Sequence, residues 1–177
     1  EYKALIEKKE GSFLPLDTIE WKTFKINELF SIQKGQRLTK AAQKAGDINY
    51  VGASAFNNGV TNHIGNTENL NIPNTISVCY NGSIGEAFYQ EEAFWATDDV
   101  NVLTPKFTIN RYIALFLCTV IKNESKRYTF NNKWTKDIME KSMIPLPVTK
   151  DNKPDFAFME KYISSLPYMR ILDNVSK

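Results

Sequence analysis

Two short stretches of this 177-residue chain concentrate side chains able to bind a polyanion and to read the edges of planar bases. The first, Gln33 to Lys44, carries Lys34, Arg37, Lys40 and Lys44 without an acid; the second, Lys122 to Lys136, holds five basic residues against the single Glu124. Ammonium and guanidinium groups neutralise phosphates, while glutamine, asparagine and arginine make paired hydrogen bonds with the donor and acceptor pattern of a duplex groove. Lys34, Arg37 and Lys40 are thus expected at phosphates, with Gln36 and Arg37 able to meet adenine or guanine edges. In the second run Lys126, Arg127 and Lys133 supply charge, Tyr128, Phe130 and Trp134 interleave aromatic surface, and Asn131 and Asn132 offer amides. For Phe130 and Trp134 the weight falls on core packing. Asn57, Asn58, Asn81 and Ser83 complete the candidate set, and Asn57-Asn58-Gly59 also carries the Asn-Gly turn signal.

Residues for catalysis are harder to find. The single His63 lies in a polar stretch, so no histidine cluster for a metal can form, and a surface position is expected for it. Cys79 and Cys118 lack metal-ligand spacing and read as buried free thiols. There is no phosphate-binding Gly-x-x-x-x-Gly-Lys-Ser/Thr loop, and Gly82-Ser-Ile-Gly85 is too short to be a dinucleotide fingerprint. An Asn/Asp-Pro-Pro-Tyr/Phe motif of DNA methyltransferases is also missing. Glu124-Ser-Lys126 and Asp151-Asn-Lys153 have a nuclease-like spacing, but both precede Pro154-Asp155, which is the wrong order and better explains a helix start. Asp98-Asp99 reads as a solvated turn pair or a structural acceptor, because no partner base is identifiable. The expectation is a chain with no catalytic residues, no metal and no cofactor of its own.

The elements that must carry these side chains follow from periodicity. With 42% hydrophobic and 24% charged residues the composition suits one soluble α/β domain, and the net charge of +2 says less than its uneven distribution. The most apolar window, Tyr112 to Ile121, is about half of the roughly 20 residues a membrane span needs. Without a signal-peptide pattern at the N-terminus, a cytoplasmic location is expected. Residues 1–19 are read as a weakly helical segment or linker, 20–150 as the recognition domain, and 151–177 as a closing helical region for a spacer or partner docking. Short strands are expected at Trp21–Ile26, Ile48–Gly52, Ile76–Tyr80, Ala87–Gln90 and Asp99–Leu103, with a hairpin turn at Asn81-Gly-Ser-Ile-Gly85. Asn27 is expected to cap a helix over Glu28–Gln33, and Thr61–Asn74 to be irregular. The apolar spacing from Ile109 to Ile121 predicts a helix over 109–124, and Phe156, Met159, Ile163 and Leu166 predict another over 154–166. Pro145 and Pro147 exclude a central strand and leave an extended surface segment.

The order of these signals resembles a known family. Trp21 at a short strand is followed by Leu29-Phe30 and Lys34-Gly-Gln-Arg-Leu-Thr39, then by Val51-Gly-Ala-Ser54 and Asn57-Asn-Gly59. After them come Ile76–Tyr80 with Asn81-Gly-Ser83, Phe94–Leu103, the apolar helix, and Ile144-Pro-Leu-Pro147 before a closing helix. Over roughly residues 20 to 166 this is similar to the target recognition domain of type I restriction-modification specificity subunits, or to the recognition module of related type II enzymes. The resemblance implies a mixed α/β domain with a twisted mixed β-sheet, peripheral helices and a closing C-terminal helix. It implies a non-catalytic module that reads half of a bipartite duplex DNA site. It further implies a separate methyltransferase subunit, with a restriction subunit in some complexes; S-adenosylmethionine, ATP and magnesium would sit on those partners. Family members pair two such regions through long spacer helices, whereas one region is visible here and no long spacer helix follows Pro167. A second specificity domain or a second copy of the chain would then supply the other half-site. Two other readings stay open: the recognition domain of a single-chain type II restriction-methylation enzyme, and a β-rich module that binds protein or carbohydrate.

Overall fold

Among the residues that the computed structural model describes, 15–167 and 169, the chain forms nine strands and four α-helices. In chain order these are β1 (Trp21–Lys25), α1 (Ile26–Leu29), β2 (Phe30–Lys34), β3 (Ile48–Val51), β4 (Val60–Ile64), β5 (Thr75–Cys79), β6 (Ala87–Gln90), β7 (Phe94–Ala96), β8 (Val100–Pro105), α2 (Arg111–Ser125), α3 (Lys136–Lys141), β9 (Met143–Pro147) and α4 (Phe156–Ser165). The helical segment expected before Gly11 lies outside the described residues.

The strands divide among three sheets. β2-β8-β5-β6 is antiparallel throughout, β4-β3-β7 is mixed because β3 runs parallel to β7, and β1 pairs only with β9. The main core lies between the four-stranded sheet and the helices: Ile76, Val78 and Leu103 of the sheet share one apolar cluster with Ile113, Leu117 and Ile121 of α2 and Met159 and Ile163 of α4. Both long helices start on side-chain caps. Asn110 accepts the Ile113 amide at 3.0 Å and Asp155 accepts the Phe158 amide at 2.9 Å, each satisfying a donor the first turn would leave unpaired. Pro154 thus precedes the cap of α4 instead of opening the helix.

Three local expectations are corrected. The helix expected over Glu28–Gln33 is a single turn ending at Leu29, because Phe30 and Ile32 alternate with exposed Ser31 and Gln33 and enter the core as β2. β4, Val60–Ile64, runs into the stretch read as irregular from Thr61 and pairs with β3; its middle residues Thr61, Asn62 and His63 are all exposed, which hides the strand pattern. The segment Met143–Pro147 is a strand paired with β1, and its Ile144 and Leu146 are fully buried. A two-stranded sheet consists only of edges, so Pro145 and Pro147 are tolerated there.

Candidate nucleic-acid interface

The first basic run leaves β2 at Lys34 and crosses the β7–β8 turn. Gly35 donates its amide to the Val100 carbonyl at 2.8 Å and Gln36 to the Ala96 carbonyl at 2.9 Å, while the buried Trp95 indole donates to the Gln36 carbonyl at 2.8 Å. Only glycine fits at position 35, since a Cβ there would sit 2.1 Å from the Thr97 carbonyl oxygen. A rigid backbone therefore presents exposed side chains: Lys34, Gln36, Arg37 and Lys40 all face solvent.

The β5–β6 hairpin meets the same turn. The Tyr80 amide donates to the Asp99 carbonyl at 3.1 Å and its hydroxyl to the Asp98 carbonyl at 2.6 Å, and Asn81 Nδ2 donates to Asp99 Oδ1 at 2.7 Å. Lys34 Nζ stands 5.4 Å from the centre of the Tyr80 ring, and hydrogen bonding to that tyrosine raises the Lys34 pKa above the ordinary lysine value. The lysine stays charged. Arg37 Nη1 lies 3.8 Å from Asp98 Oδ2. Ser83 donates to the Ala53 carbonyl at 3.4 Å, tying the hairpin to the loop after β3. Between these segments runs a groove of about 460 Å³ lined by Arg37, Lys40, Tyr50, Thr61 and Thr97 to Asp99. A smaller cleft of about 190 Å³ gathers Gln33, Gln36, Asn69 and Asn71 around Lys34.

The second basic run begins where the same hairpin touches α2. Gly85, at φ +83°, lies so close to α2 that a Cβ would be 1.8 Å from Ser125 Oγ. Lys122 bonds Glu86 at 2.5 Å beside the Phe88 ring. Beyond it, Thr129 and Asn132 exchange two backbone hydrogen bonds of 3.0 Å, so Phe130 and Asn131 form the tip of a tight turn. Asn131 and Asn132 are exposed, and Lys133 Nζ covers the Phe130 ring at 5.2 Å. Lys126 bonds Asn123 at 2.9 Å and Arg127 pairs with Glu124 at 3.4 Å, yet both remain exposed.

Several candidates have work inside the fold. Tyr128 is half-buried, stacks on Trp134 at 5.1 Å and shares a hydrogen bond with Ser142. Trp134 is fully buried, as expected, whereas Phe130 is 74% exposed and not a core residue. Asn57 and Asn58 occupy the left-handed region at φ 51° and 53°, and their amides donate to Val60 and Tyr89 carbonyls, which makes them turn residues. His63 is exposed on β4. Both cysteines are buried free thiols, and burial pushes Cys79 up to about 11 and Cys118 to about 12. Asp99 is the structural acceptor that one of the two readings of Asp98-Asp99 expected, whereas sequence reasoning missed Tyr80 and the pairing of Asp98 with Arg37, whose partners are distant in sequence and leave no local signal. A separate cleft of about 370 Å³ between β6 and α2 carries Glu91 and Glu92, with Arg111 near Glu91, and does not suit a polyanion.

A mixed α/β scaffold that pins cationic and amide side chains on rigid adjoining loops has the build of a recognition domain. The chain belongs to the type I restriction modification DNA specificity domain family, whose model matches residues 18–173. Over 149 residues it is 38% identical to the type II restriction enzyme BgcI specificity subunit S.BcgI of Heyndrickxia coagulans, covering 84% of this chain and 44% of that protein. Its fold is similar to that of the type I restriction-modification S subunit from M. genitalium, with a TM-score of 0.63 at 18% identity over 90% of this chain and 40% of the other. For the HsdS subunit from Thermoanaerobacter tengcongensis the TM-score is 0.61 at 17% identity, over 98% and 43%. The chain thus spans less than half the length of each of these relatives. Among the described residues no helix is long and apolar enough to cross a membrane.

Proposed function

We propose that this domain reads one half of a bipartite duplex DNA site within a restriction-modification specificity subunit, and carries no catalytic centre. The observation that carries this reading is the meeting of three segments on one face: the Lys34–Lys40 loop, the Tyr80–Ser83 hairpin and the Thr97–Asp99 turn. Lys34 and Lys40 supply phosphate contacts, Gln36 and Arg37 meet base edges, and the exposed Lys126 and Arg127 with the partly exposed Lys133 extend the cationic surface. A methyltransferase subunit, and in restriction complexes a nuclease-translocase subunit, would bind alongside and bring S-adenosylmethionine, ATP and magnesium. The second half-site reader would be another specificity domain or a second copy, in keeping with relatives more than twice as long as the matched stretch.

The test is fluorescence anisotropy with random-sequence duplex at stepped salt, followed by methylome sequencing of a host that expresses the intact system. Affinity that falls linearly on a log-log salt plot, and a two-part methylated motif, are the expected results. Salt-independent or absent duplex binding would overturn the reading in favour of a β-rich module for protein or carbohydrate.

A further inference from the structure

An acid on a face built for phosphates is unfavourable unless it holds a cation in place. Asp98 does this for Arg37, with Oδ2 at 3.8 Å from Nη1. We propose that Asp98 is a positioning residue for sequence specificity: its carboxylate orients the Arg37 guanidinium toward a guanine edge, so the pair reads one G·C position. This assignment rests on the DNA-reading function above.

Both partners stand on fixed backbone. The Asp98 turn is held by the Thr97 amide on the Val51 carbonyl at 2.9 Å, the Val100 amide on the Thr97 carbonyl at 3.0 Å, and the Tyr80 hydroxyl on the Asp98 carbonyl at 2.6 Å. Arg37 follows Gly35 and Gln36, both bonded to the same turn. The guanidinium itself is free to meet a ligand, since the Arg37 side chain is 76% exposed and Asp98 36%. Such an exposed pair contributes little to folding, so substitution of Asp98 reports on recognition without unfolding the domain. Guanidinium carries five N–H donors, so a contact to Asp98 leaves two parallel donors for guanine O6 and N7. The neighbouring Asp99 instead accepts from Asn81 Nδ2 at 2.7 Å, and the ion pair of Arg37 is with Asp98.

The experiment is binding-site selection from randomised duplex by the full-length specificity protein that carries this domain. Wild type is compared with Arg37→Ala, Arg37→Lys, Asp98→Ala, Asp98→Asn and the Arg37→Ala/Asp98→Ala double variant, with melting temperature and salt slope measured in parallel. Arg37→Ala and Arg37→Lys should lose preference for guanine at one position by about 5- to 150-fold, the range equivalent to one well-formed bidentate contact. Asp98→Ala should weaken preference at that same position only, with melting temperature unchanged, and Asp98→Asn should retain part of it. In the double variant the loss should equal that of Arg37→Ala alone. A guanine preference untouched by Asp98→Ala, an Asp98 effect that persists without Arg37, or a loss spread over all positions would overturn the assignment. A wild-type protein that enriches no motif overturns the DNA-reading function itself, which separates the two failures.

Discussion

Two aromatic residues four positions apart have opposite fates. Trp134 is fully buried, donates its indole N–H to Ser142 Oγ at 2.8 Å and lies parallel to Tyr128, whereas Phe130 projects from the tip of the Thr129–Asn132 turn. Trp134→Ala should therefore cost about 3–5 kcal/mol in denaturant unfolding, and Phe130→Ala should stay within about 0.5 kcal/mol. Equal destabilisation in the two variants would mean that Phe130 packs in the core. Glu124 offers a second check at this scale. Its side chain is 8% exposed, and burial raises its pKa against the opposing pull of Arg127 at 3.4 Å. The folded state then holds the proton more tightly than the unfolded state, so stability should decline as pH rises from the ordinary carboxylate range through the raised value. Glu124→Gln should flatten that part of the pH-stability curve; an unchanged slope would assign it to another group.

At the scale of elements, the turn that follows α2 carries charge into solvent without belonging to a strand or helix. Replacing Lys126, Arg127 and Lys133 together with alanine should weaken duplex binding. It should also reduce the log-log salt slope by about 0.9 for each phosphate that is no longer neutralised. An unchanged affinity and slope would remove this segment from the interface. The hairpin between β5 and β6 has the opposite character: it is wedged between the 97–99 turn and the end of α2, with the Gly85 backbone pressed on Ser125. Asn81 and Ser83 each already bond within the fold, to Asp99 and to the Ala53 carbonyl, and are only partly exposed. The Lys34–Lys40 loop leaves Lys34, Gln36, Arg37 and Lys40 exposed to solvent.

For the whole molecule, the main apolar cluster runs from β1 and β9 through the four-stranded sheet to α2 and α4, and two smaller clusters, around Val51, Ala96 and Val100 and around Tyr50 and Trp95, lie beneath the loops of the candidate interface. Asp155, the one residue of the nuclease-like Pro-Asp pair able to act on a metal, is occupied as the cap of α4. Purified protein supplied with magnesium and S-adenosylmethionine should therefore leave supercoiled DNA intact and transfer no methyl group. Cleavage that disappears in Asp155→Ala would refute this.

Elements with their pattern inside their own residues could be read from the sequence: the stripe of α2, the stripe of α4, and the β5–β6 hairpin with its two glycines. Family likeness and the cationic loops were legible for the same reason, since motif order and charge are local properties. The core role of Trp134 and the turn role of Asn57-Asn58 were legible too. Only tertiary structure decided that Phe30–Lys34 is a strand, because its partner β8 supplies the pairing from far along the chain. Likewise β9 is a strand because β1 accepts it, and β4 because β3 does, although its middle residues show no apolar alternation. The site divides along the same line. Arg37 and Lys34 announce themselves by charge, but that Asp98 holds the one and Tyr80 underlies the other follows from three loops closing on one another. Side-chain chemistry is written residue by residue; which groups become neighbours is set by strand pairing and close packing over long separations.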